Sequence, residues 1–311
     1  MVSGKGVVIK VFGLYYAVKS GNDIVNCFLR GKMRQRGDLH KYSDPIAVGD
    51  DVLFEIQDDG AGVIEEILPR KNVFSRKEKG RNKREDIIAC NLDQIIVVQS
   101  FASPKLNLRF VDRLYVRGCK GDIPIVVCIN KIDIADDEII RYIKEYYKNA
   151  RIRISMVSAL TGEGIDEFRK IIEKRVSLFV GNSGVGKTSL LNYMYPHLQL
   201  RVAEISRSTG KGRHTTTNVE MIMSEKKTCI IDTPGLREFG LMDIEPAAVG
   251  NYFYEFGKLG ALCSFQPCTH DHEPHCEIKR RVDAGRIHED RYVSYLNMLY
   301  SIRDYHENLY A

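Results

Sequence analysis

The chain has 311 residues, of which 44% are hydrophobic and 28% charged, and its formal net charge is +5. This length predicts two or three domains, and the composition is that of a globular protein without low-complexity tracts. Because the longest apolar runs have the length of strands and residues 1–10 lack the apolar core of a secretory signal, we expect a cytoplasmic protein without a membrane partner.

Residues 1–70 contain short runs of β-branched and aromatic residues separated by turns. Such short strands predict a small antiparallel β-barrel, for which an OB-like barrel is the best match. Another small β-domain would have a similar pattern. The sequence QDDGAG predicts a hairpin. Four basic residues alternate before it, either as a nucleic-acid contact or as a solvated edge: Arg30, Lys32, Arg34 and Arg36.

The next segment, RKNVFSRKEKGRNKRED, carries eight basic residues against three acidic ones. We interpret residues 71–86 as a basic linker between two domains. Charged runs of this kind are usually solvated and mobile. Beside a barrel and a nucleotide domain, the same run could add contacts to the phosphates of a polyanionic partner.

From residue 87 to residue 240, apolar strand candidates alternate with amphipathic helix candidates. The strand candidates are QIIVVQSF, IPIVVCIN, IRISMVSA, SLFVGN and TCIIDTPG. The alternation predicts a mostly parallel α/β sheet covered by helices on both faces. Functional loops are expected at the carboxyl ends of its strands. Residues 241–311 form a further segment that we expect to be helical.

The sequence GNSGVGKTS matches the phosphate-binding pattern G-x-x-x-x-G-K-[ST], and it lies between an apolar strand and a helix, as that pattern requires. Its glycines let backbone N–H groups surround phosphate oxygens. Lys187 is expected at the β- and γ-phosphates, and the Thr188 hydroxyl at Mg²⁺. The predicted phosphate-binding residues are Gly181, Asn182, Ser183, Gly184, Val185, Gly186, Lys187, Thr188 and Ser189.

A second phosphate element, DTPG, ends the strand TCII. Asp232 is in the position that holds Mg²⁺ through water, and the Gly235 amide is placed to sense a γ-phosphate. A four-residue motif such as DTPG is weak evidence for a nucleotide site on its own. A phosphate-binding loop upstream makes the combination specific.

The sequence NKID, which follows the strand IPIVVC, indicates a guanine-binding loop. A carboxylate at Asp133 can accept both the N1–H and the 2-amino hydrogens of guanine, while Lys131 lies along the ring and Asn130 braces the loop. Such paired hydrogen bonds reject the wrong base by roughly 10⁴-fold. The later sequence VSAL supplies a second loop with Ser158 and Ala159, and the Ala159 amide is expected at guanine O6.

These elements occur in the order base-binding loop, phosphate-binding loop, DTPG, whereas an ordinary GTPase begins with the phosphate-binding loop. We therefore predict a circularly permuted GTPase domain over residues 87–240. Permutation is tolerated because the termini of compact domains are often close together, so that rejoining them preserves the sheet. In this order the segment after DTPG leads directly into residues 241–311, which couples a nucleotide-dependent movement near Gly235 to them.

The segment after residue 240 contains the sequence CSFQPCTHDHEPHC. The pattern C-x4-C-x-H-x5-C comprises Cys263, Cys268, His270 and Cys276. Three thiolates and one imidazole suit a closed tetrahedral zinc site, which would replace a hydrophobic core in a short segment. His272 and His275 are competing ligands, and a disulfide is the alternative use of these cysteines. The other five cysteines are scattered, which indicates small buried side chains.

In combination, NKID, GNSGVGKTS, GKGRHTTT, DTPGL and the Cys/His cluster resemble the bacterial ribosome small-subunit-dependent GTPase A family over essentially the whole chain. The resemblance implies a monomeric GTPase that binds the small (30S) ribosomal subunit and its 16S rRNA in late maturation. It further implies that the subunit stimulates hydrolysis of GTP to GDP and that hydrolysis drives release. It favours His270 as the fourth ligand of one structural Zn²⁺ per chain, with Mg²⁺ accompanying GTP. The alternative is a GTP-controlled switch that binds another RNA or protein.

Leu236 follows DTPG at the position where many small GTPases carry a water-orienting glutamine, so we expect slow intrinsic hydrolysis. The candidate replacement is His214, in a glycine-rich basic stretch, SRSTGKGRHTTT, that resembles a switch I segment. We expect partner binding to order this stretch and to bring His214 to the attacking water, with Thr216 at Mg²⁺. An ordinary loop histidine is the alternative.

Overall fold

The computed structural model describes residues 2–30, 42–77, 85–199, 219–224, 227–233, 241 and 243–310. Over these residues the chain forms a β-barrel, a central α/β sheet and a C-terminal helical segment around a Cys/His cluster. Among the helices of the described residues, none combines the length and the apolarity needed to cross a bilayer.

The N-terminal barrel has five strands: β1 (Val2–Phe12), β2 (Tyr15–Ser20), β3 (Asp23–Leu29), β4 (Asp51–Ile56) and β5 (Gly62–Ile67). Their order is β1-β2-β3-β5-β4, and β4 pairs back with β1, which closes the barrel. Only the β3–β5 pair among these is parallel. Alternate residues point inward, so that Val8, Tyr16 and Phe54 fill the interior. The predicted OB-like barrel and its hairpin between β4 and β5 are confirmed.

A two-stranded antiparallel ribbon follows, made of β6 (Val73–Lys77) and β7 (Glu85–Cys90). Strand β6 lies inside the range predicted as a basic linker. It forms because Phe74 is buried, 1% exposed, in the core of the central domain, a long-range contact that composition does not reveal. The basic residues between β6 and β7, 78–84, lie outside the described residues. The domain boundaries themselves stay predictions.

The central sheet contains β8 (Gln94–Ser100), β9 (Ile125–Asn130), β10 (Arg153–Met156), β11 (Val176–Val180), β12 (Glu220–Met223) and β13 (Cys229–Asp232). Its order is β10-β9-β8-β11-β13-β12. Every neighbouring pair is parallel except β12–β13. The strand before the phosphate-binding loop, β11, therefore lies in the middle of the sheet although it comes late in the sequence. The permuted α/β fold is confirmed.

Helices cover both faces of this sheet: α1 (Leu108–Lys120), α2 (Asp137–Tyr146), α3 (Ile165–Ile172) and α4 (Lys187–Met194). On β8, Ile95 and Val97 join the core beneath α1 and α2, whereas Ile96 and Val98 join the core beneath α3 and α4. All seven residues of β8 are buried, as a strand covered on both sides requires.

Strand β1 also joins the barrel to the central sheet. It pairs with β12 in an antiparallel arrangement in which Lys10 faces Glu220, and the Lys10 ammonium lies 2.7 Å from the Glu220 carboxylate. Along the same strand, Val7, Ile9 and Val11 pack against the core of the central domain. One strand thus contributes to two cores.

The C-terminal segment contains two α-helices, α5 (Glu277–Asp283) and α6 (Glu289–Tyr310), preceded by 3₁₀ turns at Pro246–Tyr252 and Gly257–Leu262. Its core is aromatic and includes Phe253, Phe256 and Tyr295. The segment is held to the central domain by Arg291, whose side chain is 1% exposed and forms ion pairs with Asp112 of α1 and with Glu255. The prediction of a helical segment carrying the Cys/His cluster is confirmed.

Candidate nucleotide site and metal centre

Four loops meet at one edge of the central sheet because they follow the carboxyl ends of parallel strands. The phosphate-binding loop follows β11, NKID continues from the end of β9, the VSAL loop follows β10, and Thr233 follows β13. Sequence elements that are far apart along the chain are thereby adjacent in space.

The phosphate-binding loop depends on its glycines. A Cβ atom at Gly181 would lie 2.4 Å from the Val98 carbonyl oxygen, and one at Gly186 would lie 2.3 Å from Asn130 Nδ2. Gly184 and Gly186 have φ angles of +86° and +90°, a region that costs other residues strain. Helix α4 begins immediately afterwards at Lys187. A glycine-rich turn followed directly by a helix N-terminus is the arrangement that presents backbone N–H groups to an anion.

Lys187 and Asp232 form the charged part of this edge. Lys187 Nζ donates to the Gly181 carbonyl oxygen over 2.6 Å. Burial lowers the pKa of Lys187, against the opposing effect of the Asp232 charge, and burial raises the pKa of Asp232, against the opposing effect of Lys187. Asp232 Oδ1 is buried and has no hydrogen-bond partner among the described residues. A buried ammonium and an unmatched carboxylate oxygen fit a phosphate and a magnesium ion.

Asn130 connects the base-binding loop to two neighbouring loops. Its Nδ2 donates to the Val185 carbonyl oxygen over 3.0 Å, and its Oδ1 accepts from the Ala159 amide over 3.0 Å. The residue is 2% exposed, so these hydrogen bonds are shielded from water. The predicted bracing role of Asn130 agrees with this geometry. The Ala159 amide, predicted to bind guanine O6, is here engaged with Asn130 instead.

Lys131 immediately precedes the 3₁₀ turn Ile132–Ile134, and Asp133 lies within that turn. Lys131 adopts a left-handed conformation with φ of 69°, and its Nζ donates to the carbonyl oxygens of Ser103 (2.6 Å) and Gly184 (3.0 Å). Asp133 is exposed, and its Oδ1 accepts a 2.5 Å hydrogen bond from the Ser158 hydroxyl. The Ser158 contact orients the carboxylate, while the exposure leaves it accessible to a ligand.

Some of the predicted site residues lie within the described part of the chain, and others lie outside it. The structure brings together the residues of the phosphate-binding loop, NKID, Ser158, Ala159 and Asp232, but their roles in binding stay predictions. His214, Thr216 and Gly235 lie outside the described residues. The carbonyl of Ser103 was not predicted, because a contact through a backbone oxygen leaves no signal in the side-chain sequence.

The candidate metal centre contains Cys263, Cys268, His270 and Cys276, all buried, with ligand atoms within 4.8 Å of one another. Cys263 Sγ lies 3.9 Å from Cys276 Sγ, and His270 Nδ1 lies 3.6 and 3.4 Å from these two sulfurs. A tetrahedral site with metal–sulfur bonds of about 2.3 Å places two sulfurs about 3.8 Å apart. The donor set and its spacing therefore fit a tetrahedral metal ion.

The surroundings of the cluster orient its ligands. The amide of Glu277 donates to Cys263 Sγ and that of His270 to Cys268 Sγ, both over 3.4 Å. The Tyr292 hydroxyl donates to the His270 carbonyl oxygen over 2.6 Å. His272 and His275 are exposed, and among the described residues they are not part of the cluster. His270 is thus the histidine of the centre. A disulfide is not formed, since all three cysteines are free.

Comparisons with known proteins agree with this architecture. The family model described as RsgA GTPase matches residues 67–242, and the model described as RsgA N-terminal domain matches residues 5–64. The chain is 39% identical over 299 residues to the protein named Small ribosomal subunit biogenesis GTPase RsgA of Bacteroides fragilis (strain YCH46), covering 95% of this chain and 96% of that protein. A protein of the same name from Chlorobaculum parvum (strain DSM 263 / NCIMB 8327) is 37% identical, covering 96% of this chain and 97% of that protein.

Two solved structures have the same fold. The crystal structure of YjeQ from Thermotoga maritima superposes with a TM-score of 0.77 at 32% identity, covering 97% of this chain and 99% of that chain. The structure of YloQ, described as a circularly permuted GTPase, superposes with a TM-score of 0.70 at 27% identity, covering 97% and 96%. The chain is therefore a circularly permuted GTPase and belongs to the RsgA GTPase family.

Proposed function

We propose that the protein binds and hydrolyses GTP while bound to the small (30S) ribosomal subunit, late in the maturation of that subunit. The observation that supports this most strongly is the direct contact between NKID and the phosphate-binding loop, made by Asn130 and Lys131. The relatives that match nearly the whole chain carry the name Small ribosomal subunit biogenesis GTPase.

At the base end of the proposed site, Asp133 accepts hydrogen bonds from the N1–H and 2-amino groups of guanine. Ser158 holds this carboxylate in place, and Lys131 lies across the ring while bridging to Gly184. Adenine offers neither donor in that arrangement. Once the bound base covers Asp133, a carboxylate left unmatched by the wrong base would give selectivity of roughly 10⁴-fold.

At the phosphate end, Lys187 leaves the Gly181 carbonyl oxygen and binds the β- and γ-phosphates. Thr188, in the first turn of α4, and Asp232 hold the magnesium ion, Asp232 through water. When bound, Mg²⁺ supplies charge that stabilises the developing negative charge on the phosphate oxygens. Residues 181–189 and the Gly235 amide complete the phosphate contacts in this proposal.

For hydrolysis we assign His214 to the attacking water and Thr216 to Mg²⁺. Leu236 is apolar and cannot orient a water, so we expect turnover to be slow until partner binding brings His214 to the attacking water. Stimulation by the subunit then follows from completion of the site. Hydrolysis weakens the bound state and releases the protein from the subunit.

We further propose that the metal centre holds one structural Zn²⁺ and that the protein works as a monomer in the cytoplasm. Cys263, Cys268, His270 and Cys276 would fill all four positions of a tetrahedral ion, which leaves none for catalysis. The barrel is joined to the central domain through β1 and β12, and the C-terminal segment is joined to it through Arg291. Both would bind 16S rRNA together, as multivalent contacts favour.

The test is GTP turnover by the purified protein alone and with small subunits, large subunits or free RNA. Strong stimulation by small subunits only is expected. Pelleting with small subunits should also be tighter with a non-hydrolysable GTP analogue than with GDP. Stimulation without such selectivity would favour instead a GTP-controlled switch that binds another RNA or protein.

A further inference from the structure

A β-bulge in β1 lies at the point where this strand passes from the barrel to the central sheet. Residues 2–7 pair with β4 of the barrel, and Lys10 pairs with Glu220 of β12. The register of β1 against β2 shifts between Val8 and Lys10, so Ile9 is an extra residue. A bulge bends its strand and re-aims the side chains beside it. The bulge thus allows one strand to serve both domains, with Lys10 at the central sheet.

Glu220 connects Lys10 to the proposed magnesium position, because it pairs with Lys10 on one side and with Asp232 of β13 on the other. Residues that pair across antiparallel strands project from the same face of the sheet. The neighbouring pair, Met221 and Ile231, lies in the core beneath α1 and α2. Glu220 and Asp232 therefore project from the opposite face, which α3 and α4 cover. Lys10, Glu220 and Asp232 form one row across three strands.

The first two members of this row form an ion pair. Lys10 Nζ lies 2.7 Å from the Glu220 carboxylate, and the two side chains are 24% and 50% exposed. Among the described residues, β1 and β12 share this one residue pair in register. Apolar packing supports the same connection, since Val11 contacts the core of the barrel and the core of the central domain. With so short a pairing, the ion pair helps to fix β12 against the barrel.

Strand β12 is also the element onto which the proposed catalytic residues lead. His214 and Thr216 lie shortly before Glu220 in the sequence. A slip of one residue would turn every side chain of a strand to the opposite face, so the register of β12 is either kept or lost. The position of β12 therefore sets the point from which the chain leads back to Thr216 and His214.

We propose that Lys10 and Glu220 are positioning residues for GTP hydrolysis stimulated by the small subunit. A barrel held by the subunit fixes β12 through this ion pair. In turn, β12 fixes the strand that carries Asp232 and the start of the chain towards Thr216. In this role neither Lys10 nor Glu220 contacts the nucleotide. The inference rests on the proposed function, because it names the connection by which subunit binding at the barrel reaches the nucleotide site.

The experiment measures single-turnover GTP hydrolysis by the full-length protein over a series of small-subunit concentrations. Lys10→Glu and Glu220→Lys should each lower the rate at saturating subunits roughly fivefold, the factor that corresponds to losing a strong exposed ion pair. The subunit concentration at half-maximal rate should keep its wild-type value, because positioning affects the rate and not the binding. GTP affinity should also be unchanged, which shows that the variants are folded.

The double variant Lys10→Glu/Glu220→Lys exchanges the two charges and should restore the rate to within about twofold of the wild type. Lys5→Glu is the matched control for the change in net charge. Lys5 is an exposed lysine of the same strand, in the part that pairs with β4. Its rate at saturating subunits should equal that of the wild type.

Three outcomes would overturn the inference. The first is that both single variants reach the rate of Lys5→Glu at saturating subunits. The second is that the double variant is no faster than the single variants. The third is that Lys10→Glu raises only the half-maximal subunit concentration, which would make Lys10 a direct contact of the subunit. Lack of stimulation of the wild type would instead refute the proposed function, and this inference with it.

Discussion

Asn130 Nδ2 donates a 3.0 Å hydrogen bond to the carbonyl oxygen of Val185, which joins the base-binding loop to the phosphate-binding loop. The two residues are 55 positions apart, with the base-binding loop first. A hydrogen bond depends on the positions of atoms and not on the direction in which the chain connects them. The contact explains how a permuted chain can retain one nucleotide site.

Asp133→Asn should change the base that the protein binds. Asparagine offers one acceptor and one donor, which suits the C2 oxygen of xanthine better than the amino group of guanine. GTP affinity should fall roughly a hundredfold, because the hydrogen bond to the 2-amino group is lost and the remaining one is made to a neutral acceptor, and xanthosine triphosphate should bind better than GTP. Calorimetry with both nucleotides measures this. Asp137→Asn, at an exposed carboxylate in α2, should behave like the wild type. An unaltered preference for GTP would refute the role of Asp133.

His214→Ala should abolish most of the stimulation of GTP turnover by small subunits, by roughly a hundredfold, while leaving GTP affinity unchanged. The reason is that His214 acts on the attacking water and not on the bound nucleotide. Single-turnover hydrolysis with saturating subunits gives the rate, and His197→Ala, at an exposed histidine that has no proposed role, is the control. Full stimulated turnover in the His214 variant would show that it is an ordinary loop histidine.

His270→Ala should lose the bound metal, whereas His272→Ala should keep it. The first residue supplies one of four clustered donors, and the second is exposed. Metal analysis of the purified proteins should find one zinc per chain in the wild type and in the His272 variant. Removal of zinc by a chelator should destabilise the C-terminal segment, since ligand binding contributes directly to folding there. Equal zinc content in the two variants would contradict the assigned ligand set.

Asp243→Asn should reduce the decrease in the free energy of unfolding that occurs as the pH falls. Burial raises the pKa of Asp243. The hydrogen bonds and charges of Lys120 and Arg117 together lower it by more than burial raises it, so the net shift is downward from 3.8. Both cations lie 2.6 Å from its carboxylate. A carboxyl whose pKa is lower in the folded than in the unfolded protein stabilises the folded state at any pH above its unfolded pKa. This stabilisation is lost as the pH falls through the pKa of the folded state.

Urea unfolding at neutral pH and at steps downward from pH about 4 measures this effect. The wild type should be more stable than Asp243→Asn at neutral pH, and the difference should shrink in acid. Asp283→Asn, at an exposed carboxylate of α5, should show no such convergence. Comparing variants cancels the effects of acid that all three proteins share, such as protonation of the Cys/His cluster. A constant difference across this range would exclude the predicted ion pair.

Arg291→Met should destabilise the protein by about 3–5 kcal/mol, because it leaves Asp112 and Glu255 as buried charges without a partner. Arg280→Met, whose side chain is 72% exposed, should change the free energy of unfolding by less than about 0.5 kcal/mol. Adding Asp112→Asn and Glu255→Gln to the Arg291 variant should restore part of the loss. Denaturant unfolding of the wild type and these three variants decides whether the network holds the C-terminal segment in place.

The strands that sequence patterns predicted best are the most buried ones. Strands β8 and β9 are continuous apolar runs, and all of their residues are buried. In contrast, β12 was not predicted, because its four residues, EMIM, carry no strong pattern of their own. It becomes a strand by pairing with β13 on one side and β1 on the other. Local propensity is a weak guide where the partners of a strand are distant in sequence.

The sequence by itself determined the chemistry of this protein. The phosphate-binding pattern, NKID, VSAL and the Cys/His cluster are each short local patterns whose side chains are recognisable without knowledge of the fold. It also determined the permuted order, which is a property of the chain alone. Only the tertiary structure decided which histidine joins the three cysteines and that the Ala159 amide binds Asn130. It alone decided that Arg291 joins two domains, since each of these depends on distances between residues that the backbone brings together after folding.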